Sequence, residues 1–142
     1  MYTVTKSYRD LPAAHRQPTH DGHCRLIHGH NWAWDITFIC AILDENGFVI
    51  DVGKLDKVKE FLVNHFDHTL LINSDDPQLD FFREVLQPKL SKVVLVPNCG
   101  MEGLAKFVYE KVGQLINLKS RELRVVEVTC WEDSKNRATY RL

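Results

Sequence analysis

Residues 31–43 read NWAWDITFICAIL, and the period of that stretch decides the fold. Trp34, Ile36, Phe38, Cys40 and Ile42 recur at every second position, so they share one face of a β-strand. Downstream, DENG at 44–47 supplies a hairpin turn through Asn46-Gly47, where both residues tolerate positive φ. FVIDV at 48–52 reads as the return strand. Upstream, YTVTKSY at 2–8 alternates as another strand, and RDLPAAH carries the chain on to His15.

The spacing then turns helical. Leu55, Val58, Phe61, Leu62 and Phe66 form one stripe between Lys54 and Phe66. DDPQLDFFREVLQP at 75–88 suits a short helix, with Asp76 as N-cap, Pro77 at the first position and Pro88 as a stop. Leu104, Phe107, Val108, Leu115 and Ile116 mark a second long amphipathic helix, and RVVEVTCWE (124–132) and ATYRL (138–142) read as a closing pair of strands. Amphipathic helices need a sheet face to cover. The expected architecture is therefore α+β in a single domain over 1–142: an antiparallel sheet with helices on one face. Its open face and edges favour association of several copies.

A formal net charge of −1 with interspersed acids and bases gives no basic stripe for nucleic acid. No apolar run reaches bilayer length, and MYTVTKSYRD lacks the basic and apolar regions of a signal peptide. Cys24, Cys40, Cys99 and Cys130 have no compact pairing pattern, so reduced thiols in a cytoplasmic protein are expected. Cys40 and Cys130 share parity with core-facing strand residues, and Cys99 lies in a turn with no assigned role.

The strongest chemical signal lies just before the opening stretch, in CRLIHGH at 24–30. Five of the seven histidines fall between His15 and His30. His28 and His30, two apart, would point to opposite sides of a helix but share one face of a strand. His15 can supply a third nitrogen from a neighbouring strand. Three histidines leave the fourth tetrahedral position open, as in catalytic zinc sites, and imidazole suits zinc. Cys24 is either a fourth ligand that closes the site or a thiol beside the ion that takes a proton. A free thiol is only a few per cent ionised at neutral pH unless a neighbouring cation activates it.

Asp67-His68 follows the first long helix, and an Asp beside a His can orient the imidazole for proton relay. Most adjacent Asp-His pairs are nevertheless solvated helix ends. Glu132 continues the parity of Val126, Val128 and Cys130, which aims it either into a pocket or out into water.

The motifs AAHR, CRLIHGH, GFVIDVGKLDKV, FDHTLLIN, EGLAKF and VTCWED stand in an order that resembles the 6-pyruvoyl-tetrahydropterin and 6-carboxytetrahydropterin synthase family. The likeness covers nearly the whole chain apart from residues 74–97. It implies a tunnelling fold with a four-stranded antiparallel sheet, zinc on His15, His28 and His30, Cys24 as catalytic thiol and Asp67-His68 as relay. It makes Glu132 the carboxylate that holds the pterin's guanidine-like edge, and implies a homo-oligomer, hexamer or tetramer, with active sites at subunit interfaces. The four-residue step from Cys24 to His28 is that of the 6-carboxytetrahydropterin synthases of the queuosine pathway. The implied reaction therefore turns 7,8-dihydroneopterin triphosphate into 6-carboxy-5,6,7,8-tetrahydropterin, acetaldehyde and triphosphate. Sister reactions yielding 6-pyruvoyl-tetrahydropterin or 6-hydroxymethyl-dihydropterin, and a non-catalytic zinc or pterin binder, are the alternatives.

Two positions depart from the family pattern. NCGMEG places Cys99-Gly100 where a Pro-Thr pair is common, with Glu102 left to favour the helix N-terminus. Asp133 stands where Thr or Ser is common and adds negative charge beside Glu132. The longer segment at 74–97 is expected to be peripheral.

Overall fold

The computed structural model describes residues 1–116 and 122–142. Six strands form one sheet: β1 (Tyr2–His15), β2 (His28–Cys40), β3 (Thr69–Asn73), β4 (Val93–Val96), β5 (Arg124–Trp131) and β6 (Arg137–Arg141), in the order β4-β3-β1-β2-β5-β6. The β1–β2, β2–β5 and β5–β6 pairs are antiparallel, whereas β3 runs parallel to both β1 and β4. The sheet is thus mixed and two strands wider than expected. Both added strands lie beyond the first long helix, where short apolar runs such as TLLIN and VVLV carry little periodicity.

Two long helices, α1 (Asp56–Phe66) and α3 (Met101–Leu115), close the core. Val58, Leu62 and Phe66 of α1 and Leu104, Ala105, Val108 and Val112 of α3 meet Trp32, Trp34, Ile36, Phe38 and Cys40 of β2. The rings of Trp34 and Phe66 lie 4.7 Å apart between centroids. Ile42 leaves the pattern: β2 ends at Cys40 and Ile42 is 67% exposed. FVIDV does not return as a strand. Asp44 accepts hydrogen bonds from the Asn46 and Phe48 N–H groups around Gly47 (φ +79°), and the chain then bends into a 3-10 turn at Val52–Lys54.

The 74–97 segment also has a structural role. A short α2 (Leu79–Phe81) runs into a π turn at Phe82–Leu86, and Phe82 packs on Leu70 and Ile72. Leu71, the residue between them, faces the main core, so this segment covers the opposite side of β3. Asp76 caps less than it clamps. Its carboxylate accepts the Gln78 N–H, and Arg16 donates to both of its oxygens at 2.8 and 2.9 Å. Burial alone would raise the Asp76 carboxyl, but the Arg16 and Gln78 hydrogen bonds outweigh it and hold it below the usual range. Arg16→Ala is expected to cost about 3 kcal/mol in urea denaturation, because it strands a buried carboxylate. That contribution is fully present above the ordinary carboxylate range and disappears as pH falls through the depressed value. A loss that persists unchanged in acid would contradict the assignment.

Two bulges decide which side chains reach the site. In β1, Tyr8 pairs with Trp34 but Leu11 pairs with Trp32, so Arg9 and Asp10 share the space of one residue. Asp10 takes φ +63° there, and its carboxylate accepts a hydrogen bond from the Asn31 amide at 3.0 Å. An inserted residue reverses the facing of everything beyond it. Inward positions pass from Val4 and Tyr8 to Leu11, Ala13 and His15. In β5, Thr37 pairs with Glu127 and Phe38 with Val125, leaving Val126 as the extra residue. Val125 rather than Val126 is therefore buried, and Val128 and Cys130 regain the inner face that leads to Glu132.

Candidate metal centre and active site

His15 and His28 are direct cross-strand partners, and His30 lies opposite Ala13, two residues along. All three imidazoles emerge on the inner face just beyond Trp32, whose indole lies 5.0 Å from the His15 ring and 5.3 Å from the His30 ring. One nitrogen from each of His15, His28 and His30 lies within 4.8 Å of the others, a group that could hold a metal ion.

The hydrogen bonds decide which nitrogens are available. His15 Nδ1 sits 2.7 Å from the Cys99 carbonyl, and His28 Nδ1 sits 2.7 Å from the Leu26 carbonyl. A carbonyl only accepts, so each Nδ1 carries the proton. The two Nε2 atoms are then bare lone pairs facing each other at 3.1 Å. Burial, together with the neighbouring imidazoles, pushes His15 down to about 4 against the pull of the Cys99 carbonyl, so His15 Nε2 presents a lone pair near neutrality. A cation between the two nitrogens would satisfy both. Zinc with Zn–N bonds of about 2.0–2.1 Å sets tetrahedral ligands roughly 3.3 Å apart, close to this spacing. The carbonyl behind each imidazole is the outer support that metal-bound histidines usually have.

Cys24 occupies a 3-10 turn, His23–Arg25, in the loop joining β1 to β2. It is half-buried, its carbonyl accepts the Gln17 N–H at 2.8 Å, and its thiol is not among the group of three nitrogens. Of the two sequence alternatives, the fourth-ligand one has no support in this arrangement.

Asp67 and His68 form the dyad that their adjacency allows: Asp67 Oδ1 lies 2.6 Å from His68 Nδ1. α1 ends at Phe66, His68 takes φ +57°, and its backbone N–H donates to the Pro12 carbonyl at 2.7 Å. A non-glycine residue held in the left-handed region costs energy and is fixed here by that contact. His68 lines a groove with Gly29, His30 and Asn31. The same three residues border a cavity of about 660 Å³ that Glu132 enters from the end of β5. Glu132 Oε2 lies 3.9 Å from His30 Nε2. His30 thus stands between the Asp67-His68 pair and the Glu132 carboxylate.

The two departures from the family pattern have physical explanations. Asp133 accepts the Lys135 and Asn136 N–H groups, each at 2.7 Å, and these hydrogen bonds hold its carboxyl below the usual range. It builds the β5–β6 turn and also borders the cavity beside Glu132. Gly100 starts α3 without a capping side chain, and Asn98 accepts the Gly100 N–H at 2.9 Å. Glu102 lies in the first helical turn, as expected. Cys99 was missed by sequence reasoning because its contribution to His15 comes from its backbone carbonyl, which leaves no mark on side-chain type. Trp32, the floor of the site, was detectable, since it shares the parity of Trp34.

A sheet curled under two long helices, with a ligand cluster at the mouth of its central hairpin, defines the tunnelling-fold class. The chain superposes on an uncharacterized protein from Wolinella succinogenes with a TM-score of 0.83, over 99% of this chain and 97% of that one, at 21% identity, a likeness of fold alone. It superposes on the 6-pyruvoyl tetrahydropterin synthase of Caenorhabditis elegans with a TM-score of 0.65, at 26% identity over 100% and 97%. Residues 3–142 match the 6-pyruvoyl tetrahydropterin synthase family, and the chain belongs to that family of pterin enzymes. Among curated relatives, the 6-carboxy-5,6,7,8-tetrahydropterin synthase of Aquifex aeolicus is 27% identical over 124 residues, 83% of this chain and 75% of that protein. The enzyme of the same name from Haemophilus influenzae is 25% identical over 93% of both chains. No helix among the described residues is long and apolar enough to cross a membrane.

Proposed function

We propose that this chain is a 6-carboxytetrahydropterin synthase: a zinc-dependent lyase that acts on 7,8-dihydroneopterin triphosphate in a route to 7-deazapurines such as queuosine. The observation that carries the metal half of this reading is the pair of bare imidazole nitrogens at 3.1 Å, with the third histidine alongside. The names of the curated relatives and the short Cys24–His28 step support the carboxy-forming reaction.

His15, His28 and His30 would hold the ion. When bound, zinc supplies Lewis-acid polarisation of the substrate's side-chain hydroxyls, which acidifies the adjacent C–H bonds. Cys24 is the base that takes a proton from the side-chain carbon. Asp67 accepts the His68 Nδ1 proton and stabilises the charged ring, so His68 Nε2 can give and receive protons at the groove. Glu132, on the cavity wall, pairs with the guanidine-like edge of the pterin through two parallel hydrogen bonds. One water is consumed, the side-chain carbon–carbon bond breaks, and acetaldehyde and triphosphate leave behind a ring carboxylate.

The sheet ends on β4 and β6, and Leu26 and Ile27 stand 58% and 49% exposed just before the histidine strand. These features support a homo-oligomer with sites at subunit contacts. Mass analysis of the pterin formed by zinc-loaded protein tests the reaction. A 6-carboxy product is expected, whereas a 6-pyruvoyl product or intact substrate overturns the carboxy-forming assignment.

A further inference from the structure

The residue that organises the cluster from behind is Asn73, at the end of β3, far in sequence from any histidine of the site. Its side-chain carbonyl accepts the Cys99 N–H at 2.8 Å. The Cys99 carbonyl in turn accepts the proton on His15 Nδ1 at 2.7 Å, and the Cys99 thiol donates to the Arg16 carbonyl at 3.0 Å. Cys99 is fully buried, and burial pushes its thiol up to about 11, so it stays a neutral donor. One short peptide segment is thereby fastened at three points: to β3, to the His15 ring and to the backbone just after His15.

We propose that Asn73, acting through the Cys99 peptide, is a positioning residue that fixes the ring orientation and tautomer of His15 for metal binding. The inference rests on the metal reading given above. His15 needs this support more than His28 does. The His28 ring is anchored to Leu26, two residues earlier in the loop that leads into its strand, whereas His15 depends on a loop 84 residues distant. Without the Asn73 acceptor, the Cys99 peptide can rotate and release the proton that marks Nε2 as the ligand. The Cys99 N–H and C=O lie on adjacent peptide planes joined at its Cα, so holding the N–H on Asn73 and the thiol on the Arg16 carbonyl restricts the φ and ψ through which the carbonyl could swing away from His15.

The neighbouring Ser74 gives a matched control. Its hydroxyl donates to the Val96 carbonyl at 3.1 Å and tethers the same strand end without touching Cys99 or His15. The experiment is a chelator-competition titration with zinc on full-length parent, Asn73→Ala, Asn73→Asp and Ser74→Ala proteins, with the visible spectrum of the cobalt(II)-loaded forms recorded alongside. Removal of an outer-shell partner typically weakens metal binding about 10–100-fold. Asn73→Ala is expected to show a loss of that size and an altered cobalt spectrum. Asn73→Asp, which keeps an acceptor in place, is expected to restore both toward the parent, and Ser74→Ala to leave both unchanged. Should Asn73→Ala not fold, Asn73→Ser, too short to reach the Cys99 N–H, is read in its place. Parent-like affinity in the Asn73 variant, or an equal loss in Ser74→Ala, overturns the inference while the metal reading stands. A parent that binds neither ion overturns the metal reading, and this inference with it.

Discussion

Cys24→Ala is expected to lower turnover about 100- to 10,000-fold, the range over which a positioned base contributes, and to retain a full complement of zinc. The separation follows from where the residue sits. Its backbone carbonyl, not its side chain, holds the Gln17 N–H and ties the 3-10 turn to the chain leaving β1, so alanine preserves the loop. Its thiol is not part of the three-nitrogen group, so the ligand set is intact without it. What alanine removes is the group assigned to take the proton. Metal content by atomic emission, measured beside single-turnover kinetics, decides the matter. Zinc lost in proportion to activity would make Cys24 a ligand and the site a closed, structural one.

Stripping the metal is expected to abolish turnover and to cost stability as well. The His15 and His28 Nε2 atoms face each other at 3.1 Å across β1 and β2, so an ion held by both joins the two strands. An ion present at a thousand times its dissociation constant stabilises the folded state by about 4 kcal/mol. For a chain of this size that corresponds to roughly 10 °C in Tm. Scanning calorimetry of chelated and zinc-reloaded protein should show that difference, with activity returning in step. An unchanged Tm after complete removal would contradict the placement of the ion between these strands.

How much of this was legible beforehand differs from element to element. Trp34, Ile36, Phe38 and Cys40 announced β2 through period alone, and His28 and His30 inherited their common face from it. The α1 and α3 stripes were equally plain. His15 was nameable as a third ligand only by proximity and family likeness, because its inward aim depends on the bulge at Arg9-Asp10. RDLP looks like a connector, and nothing in residue type says that the strand runs through it with one residue to spare. Glu132 keeps the parity of Val128 and Cys130, as expected, but Val126 does not share it, because the bulge there buries Val125 instead. TLLIN, buried on both faces, offered no alternation, so β3 and its parallel partner β4 were absent from the expected sheet. Carbonyl contacts such as Cys99 to His15 are invisible by their nature: every residue carries a carbonyl, and only the fold selects one.

The central claim is that this cluster cleaves a carbon–carbon bond. The most direct test is to trap and quantify acetaldehyde while zinc-loaded protein consumes 7,8-dihydroneopterin triphosphate. One acetaldehyde is expected for every pterin converted, lost together with turnover in Cys24→Ala. Triphosphate released without acetaldehyde would contradict it and would place the chemistry with simple elimination from the same side chain.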